Sequence, residues 1–266
     1  MNFGKDKEKS LKQRRNIVAE KTELLYGIHP VTEALRAGRR RFFEIFIVKG
    51  RRSERLERTL ALGTAAKIDV RELSRSQLQA RTNTDEHQGI AAIVSTYPLA
   101  GISEIIDRSL DGVDDPFFLL LDGIVDPHNL GALIRTAFCA GIQGIVIPKD
   151  RSAGPVPAAS KTSAGALEHV RLARVVNMVN TIKELKEKGI WIAGTGPSAE
   201  KSLYACELTG PLAIVIGGEE KGIRPLVRTH CDFLMTIPQK GELNSLNASV
   251  AGAIVLYEAF RQRLGY

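Results

Sequence analysis

Three short segments hold polar residues whose types and spacing suit them to bind and orient a polar ligand. In VDPHNLGALIRTAFCAG, Asn129 stands where a helix N-cap belongs and Gly141 where that helix should end. Arg135 is the only formal charge between Asp126 and Lys149, and Gly131, one turn earlier, leaves space above its guanidinium. In GGEEKGIRP, Gly217 and Gly218 let backbone amides approach a ligand, and Glu219 stands at the end of the apolar run LAIVI. In GELNSLNASVAGAIVLYEAFRQR, Leu246, Val250, Ile254, Tyr257, Phe260 and Leu264 recur at helical steps. That helix opens on a polar row, Asn244, Ser245, Asn247 and Ser249.

Each segment alone has a plainer explanation. A lone arginine on an apolar face snorkels to solvent or pairs with a carboxylate. Paired glycines make a turn, and Ser245 or Asn247 caps a helix. Together the three are more specific, because each directly follows an apolar strand of one domain. Between them they supply an Asn, an Arg, a Glu and a Ser/Asn row.

Other chemistries lack their residues. TGPSAEKS (195–202) has Thr195 and Glu200 where a P-loop needs glycines, and no GxGxxG follows FFLLLD. GxSxG and HExxH are missing, and His29, His87, His128, His169 and His230 show no paired metal spacing. Cys139, Cys206 and Cys231 lie far apart in apolar contexts and are expected to be reduced core thiols.

The elements that must position these segments follow from hydrophobic period. FFLLLD (117–122), GIVIP (144–148), IWIAGT (190–195) and LAIVIGG (212–218) read as buried strands. They alternate with helical patterns at 129–140, 177–188 and 246–264, so the spacing predicts a mostly parallel sheet covered on both faces. Loops at the strand C-terminal ends are the expected ligand site. Upstream, His29–Ala37 reads as a helix ended by Gly38 and FFEIFIV (42–48) as a strand. Arg52–Ala66 reads as a helix, Ile68–Arg71 as a strand, Ser74–Arg81 as a serine-capped helix, and GIAAIVS (89–95) as a closing strand.

The expected domains are therefore a basic tail without fixed structure (1–22), a small α/β module (23–95), a Pro/Gly-punctuated linker (96–116) and a larger α/β domain (117–266). Charge divides in the same way. Through Arg81 there are 20 Lys plus Arg against 10 Asp plus Glu, whereas the remainder has 17 against 20. The basic excess thus belongs to the first third, as in a module that touches a polyanion such as RNA. No apolar run approaches the roughly 20 residues of a membrane helix, and the N-terminus lacks a secretory h-region.

NLGALIR (129–135), IGGEEKG (216–222) and IPQKGELNSLNASVAGA (237–253) resemble the three motifs of the SpoU/TrmH family of RNA ribose 2′-O-methyltransferases. The similarity continues through KDRSAGPVP and TSAGALEHVRLARV. LYGIHPVTEAL with HQGIAA resembles the small ribosomal-protein-like RNA-binding domain of the bacterial large-subunit rRNA guanosine methylases. One departure is visible, since the family usually has Gly where this chain has Glu220.

The resemblance implies an α/β architecture whose C-terminal domain carries the trefoil knot of the SPOUT superfamily. It implies S-adenosylmethionine as cofactor, held by Thr195, Gly196, Gly217, Gly218, Ile237, Leu246, Asn247 and Ser249. It also implies a catalytic set of Arg135, Asn129, Glu219, Ser245 and Asn247, in which Asn129 orients Arg135. Arg135 is cast in the family as general base, but a guanidinium stays protonated and is a poor proton acceptor, and we expect it to bind phosphate and stabilise an alkoxide. The implied reaction is 2′-O-methylation of a guanosine in the peptidyl-transferase region of 23S rRNA, by a cytoplasmic homodimer without membrane association. The alternatives are a tRNA ribose methylase of the same family and a non-catalytic rRNA-binding or ribosome-assembly protein.

Overall fold

The computed structural model describes residues 21–197, 199–240 and 245–265. The expected tail lies outside these except for Lys21 and Thr22, and Thr22 already begins a strand. The chain divides into two compact units, at Pro98/Leu99.

Unit one is a four-stranded mixed sheet with three helices. Its elements are β1 (Thr22–Tyr26), α1 (Ile28–Ala37), β2 (Phe42–Val48), α2 (Glu54–Ala65), β3 (Val70–Leu73), α3 (Arg75–Thr82) and β4 (Ile90–Ser95). The strand order is β1-β4-β2-β3, with only β2 and β3 parallel. One sheet face packs Ile45, Ala92 and Val94 against Val31, Ala34 and Leu56 of the first two helices. The other face packs Phe46 and Ala91 against Leu78 of α3. Helix α3 starts where its serine predicts: Ser74 Oγ accepts from Gln77 N at 3.2 Å, and Gln77 Oε1 accepts from Ser74 N at 2.9 Å.

Unit two holds a seven-stranded, wholly parallel sheet ordered β7-β6-β5-β10-β8-β11-β9. Its elements are α4 (Ile102–Leu110), β5 (Phe117–Asp122), α5 (Pro127–Cys139), β6 (Gly144–Pro148), α6 (Pro157–Thr162), β7 (Leu172–Val175), α7 (Met178–Glu187), β8 (Trp191–Thr195), β9 (Lys201–Ser202), β10 (Leu212–Gly217), α8 (Pro225–Arg228), β11 (Phe233–Thr236) and α9 (Ala248–Arg263). Every residue of β5 is buried, as expected of a strand covered on both faces. Phe118, Leu120, Val146, Ala213 and Val215 form one core with Ile182 and Leu185 of α7.

The segment read as a linker differs. It contains α4, whose Ile105 and Ile106 are 1% exposed and join that core, so residues 99–116 are integral to unit two. Gly131 also differs, because a Cβ there would meet Ala159 O and Thr162 Cβ at 2.7 Å. The glycine lets α6 lie against α5; it leaves no space above Arg135. Helix α9 also packs on α5 through a glycine, since a Cβ on Gly252 would strike Leu133.

The three cysteines are not all core thiols, as Cys139 is exposed. Burial raises the pKa of Cys206 and pushes Cys231 up to about 11. Thiolates are the reactive form, so a thiol reagent near pH 8 should modify Cys139 first. Prompt labelling of Cys231, read by peptide mass spectrometry, would contradict the packing around it. No helix among the described residues is long and apolar enough to cross a membrane.

Candidate active site

β5 and β10 are adjacent and parallel, so the segments that leave their C-terminal ends emerge side by side. The segment leaving β5 starts α5, and Asp126, not Asn129, is its N-cap, accepting from His128 N at 2.8 Å. Asn129 is the third helical residue and uses its side chain elsewhere. The segment leaving β10 is a tight turn closed by a Gly218–Gly222 bridge. A Cβ on Gly217 would collide with the backbone of Gly222, and one on Gly218 with the carbonyl of Gly123. Both glycines are therefore demanded by backbone crowding, which holds Glu219 in a fixed place.

The segment after β11 delivers Asn247 to the same point. Asn247 is the N-cap of α9; its Oδ1 accepts from Ser249 N at 2.9 Å, Val250 N at 3.4 Å and Ser249 Oγ at 2.6 Å. Its Nδ2 donates to Asn129 Oδ1 at 3.1 Å and to Glu219 Oε1 at 3.2 Å, and Asn129 Nδ2 donates to the same Glu219 oxygen. Asn129, Glu219 and Asn247, 118 positions apart at the extremes, thus form one hydrogen-bonded cluster. One asparagine serves both purposes of the polar row, its oxygen capping the helix and its amide joining the cluster. Asn244 lies outside the described residues.

Beside the cluster lies a cavity of about 440 Å³, lined by Thr195, Gly196, Ile216 to Ile223, Met235 to Ile237, Ser245, Leu246, Ala248 and Ala251. Its size is that of a small-molecule site. It gathers Thr195, Gly196, Gly217, Gly218, Glu219, Ile237, Ser245 and Leu246 of the expected set. A second cavity, about 320 Å³, shares the Gly218–Gly222 turn and also borders Asn129, Asp122, Ile124, Asp150 and Arg224.

Arg135 is not with them. It is exposed on α5, lines neither cavity and makes no hydrogen bond with Asn129. The reason is helical geometry: six residues at about 100° each set the two side chains roughly 120° apart around the axis. Asn129 therefore orients Glu219 and Asn247 and leaves Arg135 untouched. The structure adds two residues that no sequence motif marks, Asp122 and Arg224. Asp122 is fully buried, and its Oδ2 accepts from Arg224 N at 2.8 Å while its Oδ1 accepts from Arg224 Nε at 2.7 Å. A carboxylate ending an otherwise apolar buried strand was the available signal.

Residues 116–257 match the SpoU rRNA Methylase family model, and residues 24–100 match the RNA 2′-O ribose methyltransferase substrate binding model. The chain is 43% identical to the 23S rRNA (guanosine-2′-O-)-methyltransferase RlmB of Shewanella oneidensis over 92% of this chain and 99% of that protein. It is 42% identical to the Escherichia coli K12 protein of the same name, over 91% and 99%. Among solved structures, a putative RNA methyltransferase of the TrmH family from Porphyromonas gingivalis aligns at TM-score 0.72 and 27% identity, covering 95% of each chain. The SpoU methyltransferase AviRb from Streptomyces viridochromogenes, solved with AdoMet, shares the fold at TM-score 0.78 and 22% identity, over 96% of this chain and 98% of that one.

Proposed function

The chain belongs to the SpoU rRNA methylase family, and on that footing we propose that it methylates the 2′-hydroxyl of a guanosine ribose in 23S rRNA, in the peptidyl-transferase region. The observation that carries this is the meeting of Asn129, Glu219 and Asn247, from three separate segments, at the edge of the cavity bearing Thr195, Gly196, Ile237 and Leu246.

That cavity fits S-adenosylmethionine. Its apolar side chains Ile237 and Leu246 offer a face for an adenine, and Glu219 and Ser245 supply polar partners. The cofactor, when bound, supplies an already activated sulfonium methyl. What remains for the chain is to align a hydroxyl with it, to stabilise the charge that develops on oxygen as the hydroxyl proton passes to water, and to let the neutral thioether leave; alignment alone contributes several kcal/mol. Asn247 and Ser249 keep the rim of the cavity in place through the start of α9. Glu219, held by two amides, orients the ribose. Arg135 holds the adjacent phosphate and meets the developing alkoxide, a task suited to a fixed fork of donors and unsuited to a base.

We infer further that the enzyme works as a homodimer, with Arg135 reaching the partner's cavity. Arg135 shares a face of α5 with Phe138, three residues on and 46% exposed; Val250 and Tyr257 of α9 are also half exposed. The knotted threading of the C-terminal segment, and a cytoplasmic location beside the rRNA, belong to the same proposal. The strand order β5-β10-β8-β11 and the return of α9 onto α5 support the knot.

Incubating the protein with tritiated S-adenosylmethionine and unmodified 23S rRNA or bulk tRNA tests the reaction. Alkali-resistant dinucleotides containing Gm in the rRNA are expected. Label confined to tRNA would overturn the target, and no label with no cofactor binding would overturn the enzyme.

Unit one is expected to hold the RNA chiefly through phosphates. Binding should then weaken steeply with salt, and Arg52→Gln with Arg55→Gln, both exposed, should lower the log–log slope by about 2. A slope unchanged in filter-binding titrations would remove this patch from the interface.

A further inference from the structure

We propose that Arg224, braced by Asp122, reads the guanine base of the RNA substrate; this rests on the guanosine target proposed above. The carboxylate of Asp122 is fully buried at the end of β5, where an unpaired charge would be strongly unfavourable. Arg224 compensates it with its backbone N–H, its Nε and its Nη2, the last at 2.5 Å. One edge of the guanidinium is thereby fixed. The side chain is nonetheless 50% exposed. An arginine has five N–H donors in a rigid plane, and Asp122 engages those on the Nε–Nη2 edge. The donors of the Nη1–Nη2 edge remain directed away from the carboxylate.

Arg224 lines the smaller cavity, whose wall it shares with Ile124, Pro148, Asn129 and Glu219. The cavity and the proposed cofactor cavity lie against the same Gly218–Gly222 turn. A nucleotide whose ribose meets Asn129 and Glu219 therefore has this cavity beside it to receive its base. Guanine presents two adjacent acceptors, O6 and N7, which match two parallel N–H donors of an arginine. Adenine replaces O6 with an amino donor, so donor would face donor, and pyrimidines lack the pair altogether. A buried brace adds selectivity because the guanidinium cannot turn aside to suit another base. Asp122 acts through Arg224 and is a positioning residue.

The test couples the residue to one base atom. The target guanosine is first mapped with wild-type enzyme, then replaced by 7-deazaguanosine through splinted ligation, which deletes only the N7 acceptor. Wild-type turnover should fall about tenfold or more, the loss of one hydrogen bond to a charged group. In Arg224→Gln and Arg224→Lys the ratio of rates on the two RNAs should collapse toward one, with cofactor affinity by calorimetry kept within about twofold. Lysine keeps the charge beside Asp122 and loses the fork, so it separates base reading from a folding defect. The ratio is independent of the fraction of active enzyme. An unchanged ratio in the variants, or no wild-type penalty, would overturn the assignment of Arg224 alone. Wild-type label on a nucleotide other than guanosine would overturn the target and this proposal together.

Discussion

Arg135→Ala is expected to reduce methyl transfer to rRNA by about a thousandfold or more while each protomer still binds S-adenosylmethionine with near wild-type affinity. The two halves of this expectation have different grounds. Cofactor binding survives because Arg135 lines neither cavity and lies roughly 120° around α5 from Asn129. Turnover is lost because charge developing on the ribose oxygen needs a preorganised cation, and removing one such donor costs on the order of 10²–10³ in rate even before the phosphate contact is counted. In the homodimer proposed above, this cation serves the partner's site. Mixing Arg135→Ala with an inactive Glu219→Ala chain should therefore restore activity. Random exchange makes half the dimers mixed, each with one complete site, so about a quarter of wild-type activity should return. No recovery after verified subunit exchange would place Arg135 in its own chain's chemistry or outside it. Arg135→Lys keeps the charge and loses the fork, and near-normal turnover from it would refute the bidentate role.

The legible parts of the fold were those with a clear period or a local chemical signal. FFEIFIV and FFLLLD match β2 and β5 residue for residue, and Ser74 caps α3 through its own side chain. What escaped notice was short or contradictory. β1 offers only Leu24, Leu25 and Tyr26 beside a charged tail, and its pairing with β4, some 70 positions away, supplies the rest of its stability. β3, expected at Ile68–Arg71, lies two residues on at Val70–Leu73; three of its four residues are exposed, so alternation could not fix its bounds. α4 did carry a helical signal, with Ile102, Ile105, Ile106 and Ser109 on one face. Its start at Gly101 has no side-chain cap, and the surrounding Pro and Gly masked it.

The site was legible as a set of residue types and illegible as a geometry. The family resemblance groups Asn129, Glu219 and Asn247, and their hydrogen bonds make them one cluster. The resemblance pairs Asn129 with Arg135, whereas within one chain six helical residues set the two side chains roughly 120° apart and Asn129 bonds Glu219 and Asn247 instead. The Asp122–Arg224 pair was invisible because its members are 102 positions apart and only the parallel pairing of β5 with β10 juxtaposes them.

The largest remaining effect concerns Asn247, whose two roles a single substitution can separate. Asn247→Ala removes both the cap and the amide. It should cost about 0.5–2 kcal/mol of stability, the usual loss for an N-cap, together with most of the activity. Asn247→Asp should behave differently. Aspartate caps as well as asparagine, and its charge is favoured at a helix N-terminus, so the melting temperature should stay close to wild type. The two amide donations to Asn129 and Glu219 are lost, however, and a second carboxylate is set where Nδ2 now lies 3.2 Å from Glu219 Oε1. Misplacing a positioning group by about 1 Å can cost on the order of 100-fold in rate, and repulsion should displace Glu219 at least that far. Like charges raise one carboxylate pKa, so a proton shared at lower pH would restore one donor. The variant should then recover part of its activity as pH falls, where the wild type does not gain. An Asn247→Asp enzyme that is stable and fully active would reduce Asn247 to a helix cap, and the cluster would lose its part in the chemistry.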